Sequence, residues 1–276
     1  NPLRLAPRAL TEIRITMPQR PCLFLIDGSS YLFRAFYAIG HLSTSRGLPT
    51  NATYGFTQML LKVLKEHRPE YLLITFDSKA PTFRSEVYKE YKANRPAIPE
   101  GLPPQIPYIK KIIQAYGIRT LELEGYEADD VIGTIARRME SEADVVIITG
   151  DKDILQMVDD RVQVYDTMKE KRFGVKEVIE RFGVPPERVV EVMGLAGDAI
   201  DNIPGVPGIG EKTAATLLAQ HGSLEAILAA AQDPKSKMPK AYRAKLLAAT
   251  DYIDAAVPVV HVAIDAPVKL YTDSDT

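Results

Sequence analysis

Three short apolar runs constrain this chain more than any other feature: "CLFLI" at 22–26, "YLLITF" at 71–76 and "DVVIIT" at 144–149. Each is hydrophobic almost without a break, the pattern of a strand covered on both faces in a parallel sheet. Helical patterns lie between them, in "SSYLFRAFYA", "YGFTQMLLKVLKEH", "PPQIPYIKKIIQAYG" and "ADDVIGTIARRMES". The alternation predicts an α/β fold with a central, mainly parallel sheet flanked by helices.

The residues just after each run carry the chemistry. Asp27 directly succeeds the first and Asp77 the second, and Asp151 comes two residues after the third. In open α/β sheets the ligand crevice lies outside the carboxyl ends of the strands, so all three carboxylates are expected at one place. Each could instead cap a following helix. More acids gather in the same motifs: Glu127, Asp129 and Asp130 in "GYEADD", Asp153 in "TGDKD", and the pair Asp198 and Asp201, spaced to share a face if that turn is helical.

Nine carboxylates cannot all sit ionised in one crevice without counter-charge. Divalent cations are the natural supply, and oxygen ligands suit Mg²⁺ with Mn²⁺ as a substitute. Zinc is not indicated, because there is one cysteine, Cys22, and His41, His67, His221 and His261 are scattered. These histidines read as surface or loop residues, and Cys22 as a small buried apolar side chain. Two ions could clamp a phosphodiester. Ser29 and Ser30 in "DGSS" have no histidine motif to pair with, so they read as helix caps, not nucleophiles.

The net charge of −2 does not announce a nucleic-acid partner, so local distribution matters. From Lys79 to Arg95 there are five basic residues, Lys79, Arg84, Lys89, Lys92 and Arg95, against two acidic ones, Glu86 and Glu90. No apolar run approaches a membrane span of roughly 18 residues, and no secretory signal opens the chain, so a cytoplasmic location is expected. Residues 1–16 have no clear period and precede Met17; they are expected to be an upstream segment outside the fold.

A last device is "GDAIDNIPGVPGIGEKTA" at 197–214. Its glycines, Gly205, Gly208 and Gly210, fit neither a Walker A loop nor a dinucleotide fingerprint. The preceding "ERVVEVMGLAG" reads as a helix, giving helix, glycine hairpin and helix. Amides at the second helix's start, with Lys212 and Thr213, could hold phosphate oxygens of a nucleic-acid backbone. A plain packing turn would also suit Pro204 and Pro207.

Together, "LIDGSSYLFRAFYA", "FDSKAPTFR", "YKANRP", "GYEADDVIGTIA", "ITGDKDILQMV" and "GLAGDAIDNIPGVPGIGEKTA" resemble the 5′ nuclease family, which includes flap endonucleases and the 5′ to 3′ exonuclease domain of bacterial DNA polymerase I. The resemblance runs from about Pro21 to about Leu247. It implies a PIN/5′ nuclease-like domain over residues 17–184, with a helical arch at 79–100, and a helix-hairpin-helix DNA-binding subdomain over 185–276. Asp27, Asp77, Glu127, Asp129, Asp151 and Asp153 would frame a first metal, and Asp130, Asp198 and Asp201 mainly a second. Lys92, Arg95 and Arg84 would meet the scissile phosphate, Tyr91 would stack on a base, and Arg34 would reach a phosphate. K⁺ would sit at the glycine hairpin.

The resemblance further implies a two-metal, Mg²⁺-dependent 5′-3′ exonuclease and flap endonuclease. It would act as a monomer on 5′-flap or nicked duplex DNA and on RNA primer–DNA hybrids, in replication and repair, either alone or beside a polymerase domain in a longer chain. One departure stands out. Ala199 and Ile200 occupy positions where many relatives carry small hydroxyl residues, so water-mediated support of the second ion is expected to differ. A PIN-like ribonuclease and a catalytically silent DNA-structure-binding relative are the alternatives.

Overall fold

The computed structural model describes residues 20–269; the expected upstream segment at 1–16 lies outside them. Six strands form one sheet: β1 (Cys22–Asp27), β2 (Tyr71–Thr75), β3 (Arg119–Leu121), β4 (Asp144–Ile148), β5 (Val162–Asp166) and β6 (Lys171–Phe173). Their order is β3-β2-β1-β4-β5-β6, and all pairs are parallel except β5 with β6. The order reverses between β1 and β4, which places a crevice outside the carboxyl ends of these two strands. That is where Asp27 and the loop carrying Asp151 stand.

Side chains alternate across the sheet as pleating requires. Phe24, Ile26, Val146 and Ile148 face one layer, with α1 (Gly28–Ala38), α2 (Asn51–His67) and α4 (Ile106–Ala115). Leu25, Val145 and Ile147 face the other, with α5 (Ala128–Met139) and the helices that end the chain. Those are α6 (Val175–Phe182), α7 (Val189–Ala196), α8 (Glu211–His221), α9 (Leu224–Gln232), α10 (Lys240–Ala248) and α11 (Thr250–Val260). The second apolar cluster runs without interruption from Leu25 to Val268, so the sheet and the terminal helices share one core.

After α11 the chain returns to α5. Ala263 N donates to Asp130 Oδ1 at 2.9 Å, Ala266 N donates to Thr134 Oγ1 at 3.1 Å, and Arg138 donates to the carbonyls of Ala266 and Val268. Among the described residues no helix is long and apolar enough to cross a membrane. Two minor expectations need correcting. His67 is not a bare surface residue; its ring packs between Phe24 and Tyr165, with centroids 5.5 and 5.2 Å away. Cys22, at the head of β1, is only half-buried.

The segment at 79–100 is not a helical arch in this structure. Only α3 (Phe83–Val87) is helical; turns come after it, and the chain is irregular from Arg95 to Pro99. Pro96 and Pro99 cannot continue a helix. Lys92 adopts φ 55, a left-handed conformation that ends any helical run. The segment folds down as a basic loop onto the acidic crevice.

Candidate active site

The strand ends position the first group of carboxylates. Asp27 Oδ1 accepts from Ser30 N at 2.9 Å, capping α1, and its Oδ2 accepts from Thr149 Oγ1 at 2.8 Å. Thr149 also accepts from Asp151 N at 3.1 Å, so one buried hydroxyl ties the ends of β1 and β4 together. Asp77 Oδ1 accepts from Ala128 N at 2.8 Å, holding the start of α5, while Asp77 N donates to Ser29 Oγ at 2.8 Å. Capping and clustering are thus the same act here: Asp27 and Asp77 serve helix starts and face one crevice.

Asp129 and Asp153 complete this group, and each buries an Oδ1 that has no hydrogen-bond partner. Burial, then Asp151 and Asp27, push the Asp129 carboxyl well above the ordinary range. Burial, then Asp151, do the same for Asp153. Asp27 is pushed up to about 7, mainly by burial and next by Asp77. Lys152, itself paired with Asp198, offsets only part of the charge at Asp153. Orphaned buried carboxylate oxygens cost free energy unless something positive meets them, so this donor set fits hard divalent cations. Among the described residues no group of three or more His, Cys, Asp or Glu side chains is arranged as a ready-made ion site.

The second group is met by the protein's own cations. Lys92 Nζ lies 2.8 Å from Glu127 Oε1 and 3.9 Å from Asp201 Oδ2. Arg95 Nη2 donates to Asp201 Oδ1 at 2.7 Å, and Lys152 Nζ stands 3.1 Å from Asp198 Oδ2. The Tyr91 hydroxyl is 3.0 Å from Glu127 Oε2 and 3.1 Å from Asp201 Oδ2. Burial opposes the Lys92 charge, but Glu127 and Asp201 outweigh it and hold its pKa above the usual value. Further bonds latch the loop: Lys92 N donates to Asp201 O, Asn94 Nδ2 to Ala199 O, and Asn202 Nδ2 to Glu90 O. Ala199 therefore contributes its carbonyl to the latch, and Ile200 points into solvent.

Two expected roles do not fit. Asp130 is fully buried, and both its oxygens are spent: on Arg84 at 2.6 and 2.7 Å, on Glu127 N at 2.9 Å and on Ala263 N. It has no lone pair left to offer a cation. Arg84, 3% exposed, is correspondingly no phosphate contact; it also donates to the carbonyls of Val259 and His261. This bidentate pair fastens α3, α5 and the chain after α11 to one another.

The glycine hairpin joins α7 to α8 as expected. Gly205 is buried with φ 73, and a Cβ there would stand 2.3 Å from Ala196 O. Its amide donates to Tyr252 Oη at 2.8 Å, so Gly205 shapes the hairpin and does not face a ligand. Gly208, Gly210 and Lys212 are exposed, and Thr213 is half-buried, at the start of α8. Lys245 from α10 brings its ammonium against Gly208. Of the site residues, Thr149, Lys152 and Lys245 carry no signal that singles them out in the sequence, although the first two lie inside "ITGDKD".

With this geometry in place, comparison decides the family. Residues 22–183 match the model of the 5′-3′ exonuclease N-terminal resolvase-like domain, and residues 184–275 match the 5′-3′ exonuclease C-terminal SAM fold. The chain belongs to the 5′-3′ exonuclease family. The 5′-3′ exonuclease of Mycobacterium tuberculosis is 43% identical over 281 residues, covering 93% of this chain and 88% of that protein. DNA polymerase I of Rhizobium leguminosarum is 42% identical over 271 residues, covering 95% of this chain but only 26% of that protein. The chain thus spans about a quarter of the polymerase relatives and most of the shorter exonuclease. The fold is shared with the bacteriophage T5 flap endonuclease, solved with DNA and metal ions, at a TM-score of 0.72, 22% identity and coverage of 87% and 88% of the two chains. Family membership sets aside the PIN-like ribonuclease alternative.

Proposed function

We propose that this chain is a Mg²⁺-dependent 5′-3′ exonuclease and 5′-flap endonuclease that acts on flapped or nicked duplex DNA and on RNA primer–DNA hybrids, in replication and repair. The observation that supports it most is the pair of unmet carboxylate oxygens on Asp129 and Asp153 beside Asp27, Asp77 and Asp151, in the crevice onto which the loop with Lys92 and Arg95 folds. Asp27, Asp77, Asp129, Asp151 and Asp153 would hold one ion; Glu127, Asp198 and Asp201 would serve a second. Such ions supply positive charge at a scissile phosphate and make water a better nucleophile. Mn²⁺ is expected to substitute for Mg²⁺.

The residues of this chain supply the rest. Lys92 and Arg95, once turned from Glu127 and Asp201, place two cations at a phosphate and stabilise the charge that grows in the transition state. Tyr91 offers a ring on which an unpaired base can stack. The start of α8, with Gly208, Gly210, Lys212 and Thr213, presents amides and charge to the duplex backbone, where Lys245 adds to them and K⁺ is proposed to sit. The proposed products are a 5′-phosphate and a 3′-hydroxyl, made by a monomer. In a longer chain a polymerase domain would be the natural neighbour.

The test is cleavage of a 5′-labelled flap duplex, and of a matched RNA-primed nick, in Mg²⁺ and in EDTA, by the wild type and by Asp151→Asn. Short 5′ products that require Mg²⁺ and fall by at least about a thousandfold in the variant, about 4 kcal/mol of barrier, are expected. Tight flap binding without products in Mg²⁺ or Mn²⁺ would instead identify a silent DNA-binding relative.

A further inference from the structure

Beside the carboxylates a cavity of about 350 Å³ opens between the ends of β4 and β5. Its volume is at the low end of small-molecule sites, roughly 300–1,000 Å³. Its lining includes Asp151, Asp153, Asp198 and Asp201. Its lining cations are Arg34, Lys169, Arg181 and Lys152, the last paired with Asp198, and Phe173 adds apolar surface.

Arg34 is the most constrained of these cations. Its Nη1 donates to Asp166 Oδ1 at 2.9 Å, and Asp166 is itself buried and also accepts from Met168 N. The other side of the guanidinium lies against Gly150: a Cβ there would stand 1.0 Å from Nη2. Gly150 does not have a positive φ, so its missing side chain serves space, not backbone conformation. The guanidinium is thus anchored by one carboxylate and seated over one glycine, one residue from Asp151. A guanidinium has five N–H donors in a fixed fork, and the bond to Asp166 occupies one of them. Lys169 Nζ reaches Asp166 Oδ2 at 3.3 Å with 71% of its side chain exposed, and Arg181 pairs with Glu211 while 42% exposed. Both can swing to an anion.

We propose that this cavity seats the 5′-terminal phosphate monoester of the substrate strand, gripped by Arg34, Lys169 and Arg181. The inference rests on the nuclease function proposed above. A cavity of this size takes one terminal unit of a strand, not its running middle. A terminal monoester carries about −1.5 to −2 charges near neutral pH and three acceptor oxygens, which matches one fixed fork and two mobile cations better than a diester does. Asp166 and Gly150 act as positioning residues for Arg34.

The test uses a nicked duplex whose downstream strand begins with either a 5′-phosphate or a 5′-hydroxyl, with the full chain as wild type and as Lys169→Ala/Arg181→Ala. Initial cleavage rates are measured in Mg²⁺, and binding is measured by fluorescence anisotropy with Ca²⁺ in its place. The wild type is expected to favour the phosphorylated strand about tenfold in binding, the equivalent of about 1.4 kcal/mol. The double variant should lose that preference and keep its rate on the hydroxyl strand, which also reports that it is folded. Equal binding of both strands by the wild type, or a preference that survives in the variant, overturns the inference. A preference in binding that the variant abolishes, without cleavage of either strand, would sink the nuclease reading and leave the phosphate site standing.

Discussion

The two carboxylate groups of the crevice meet the same electrostatic problem differently. Around Asp27, Asp129 and Asp153 the protein supplies hydroxyls, amides and burial, with Lys152 acting only weakly on Asp153, and the carboxyls are driven toward their protonated form. Around Glu127 and Asp201 it supplies Lys92 and Arg95. A third arrangement, Asp130 with Arg84, is complete within the protein and closed to solvent. The difference separates acids that wait for an outside cation from acids already answered, though all of them look alike as letters in a motif.

The sharpest way to break this comparison is at the closed pair. Arg84→Met leaves Asp130 buried without its partner, and chemical denaturation should show a loss of about 3–5 kcal/mol. A variant as stable as the wild type would return Arg84 to the phosphate-binding set. Next in size is Lys92→Ala, which should slow cleavage by about 10²–10³-fold, as loss of a charge-stabilising donor does. The same change should tighten divalent binding measured by calorimetry, because Glu127 is then unanswered; unchanged binding would show that Lys92 does not shield it.

The smallest effect is on pH dependence. Asp27 has a folded pKa of about 7 against an ordinary value of 3.8, so between these values the folded state holds a proton that the unfolded state has released. Its contribution to stability therefore falls as pH rises through that window. Melting without divalent ions should occur a few degrees lower at pH 8 than at pH 5.5, in line with the rule that roughly 1 kcal/mol moves such a domain by 2–4 °C. Added Mg²⁺ should raise the melting temperature more at pH 8. Asp166 runs the other way. Burial pushes it up, but Arg34 and two backbone amides hold it below its ordinary value, so its contribution is lost only as pH falls through the acid range.

Much of this was legible in the sequence, for a physical reason. A strand buried on both faces must be apolar throughout, so β1, β2 and β4 announce themselves, and the acids that come after them inherit a place at the sheet's carboxyl edge. β3 and β6, three residues each and partly exposed, carry too little pattern to be seen. The posture of the basic loop was hidden because it depends on partners far along the chain: Lys92 meets Glu127, Arg95 meets Asp201, and Asn94 meets Ala199. Arg84 was misplaced for the same reason. Its letter records a charge, but only the fold records that Asp130 lies 46 positions away at bonding distance.

The return of the chain from α11 to α5 bears on how the molecule comes apart. The seam between the two family segments falls at residue 183, yet Val259 and His261 complete Arg84, Ala263 completes Asp130, and Ala266 bonds to Thr134 of α5. An excised first segment would keep every catalytic strand end and lose the clasp that holds its central helix in register. The family boundary is therefore a line in evolutionary bookkeeping, and heat should melt both segments in a single cooperative transition.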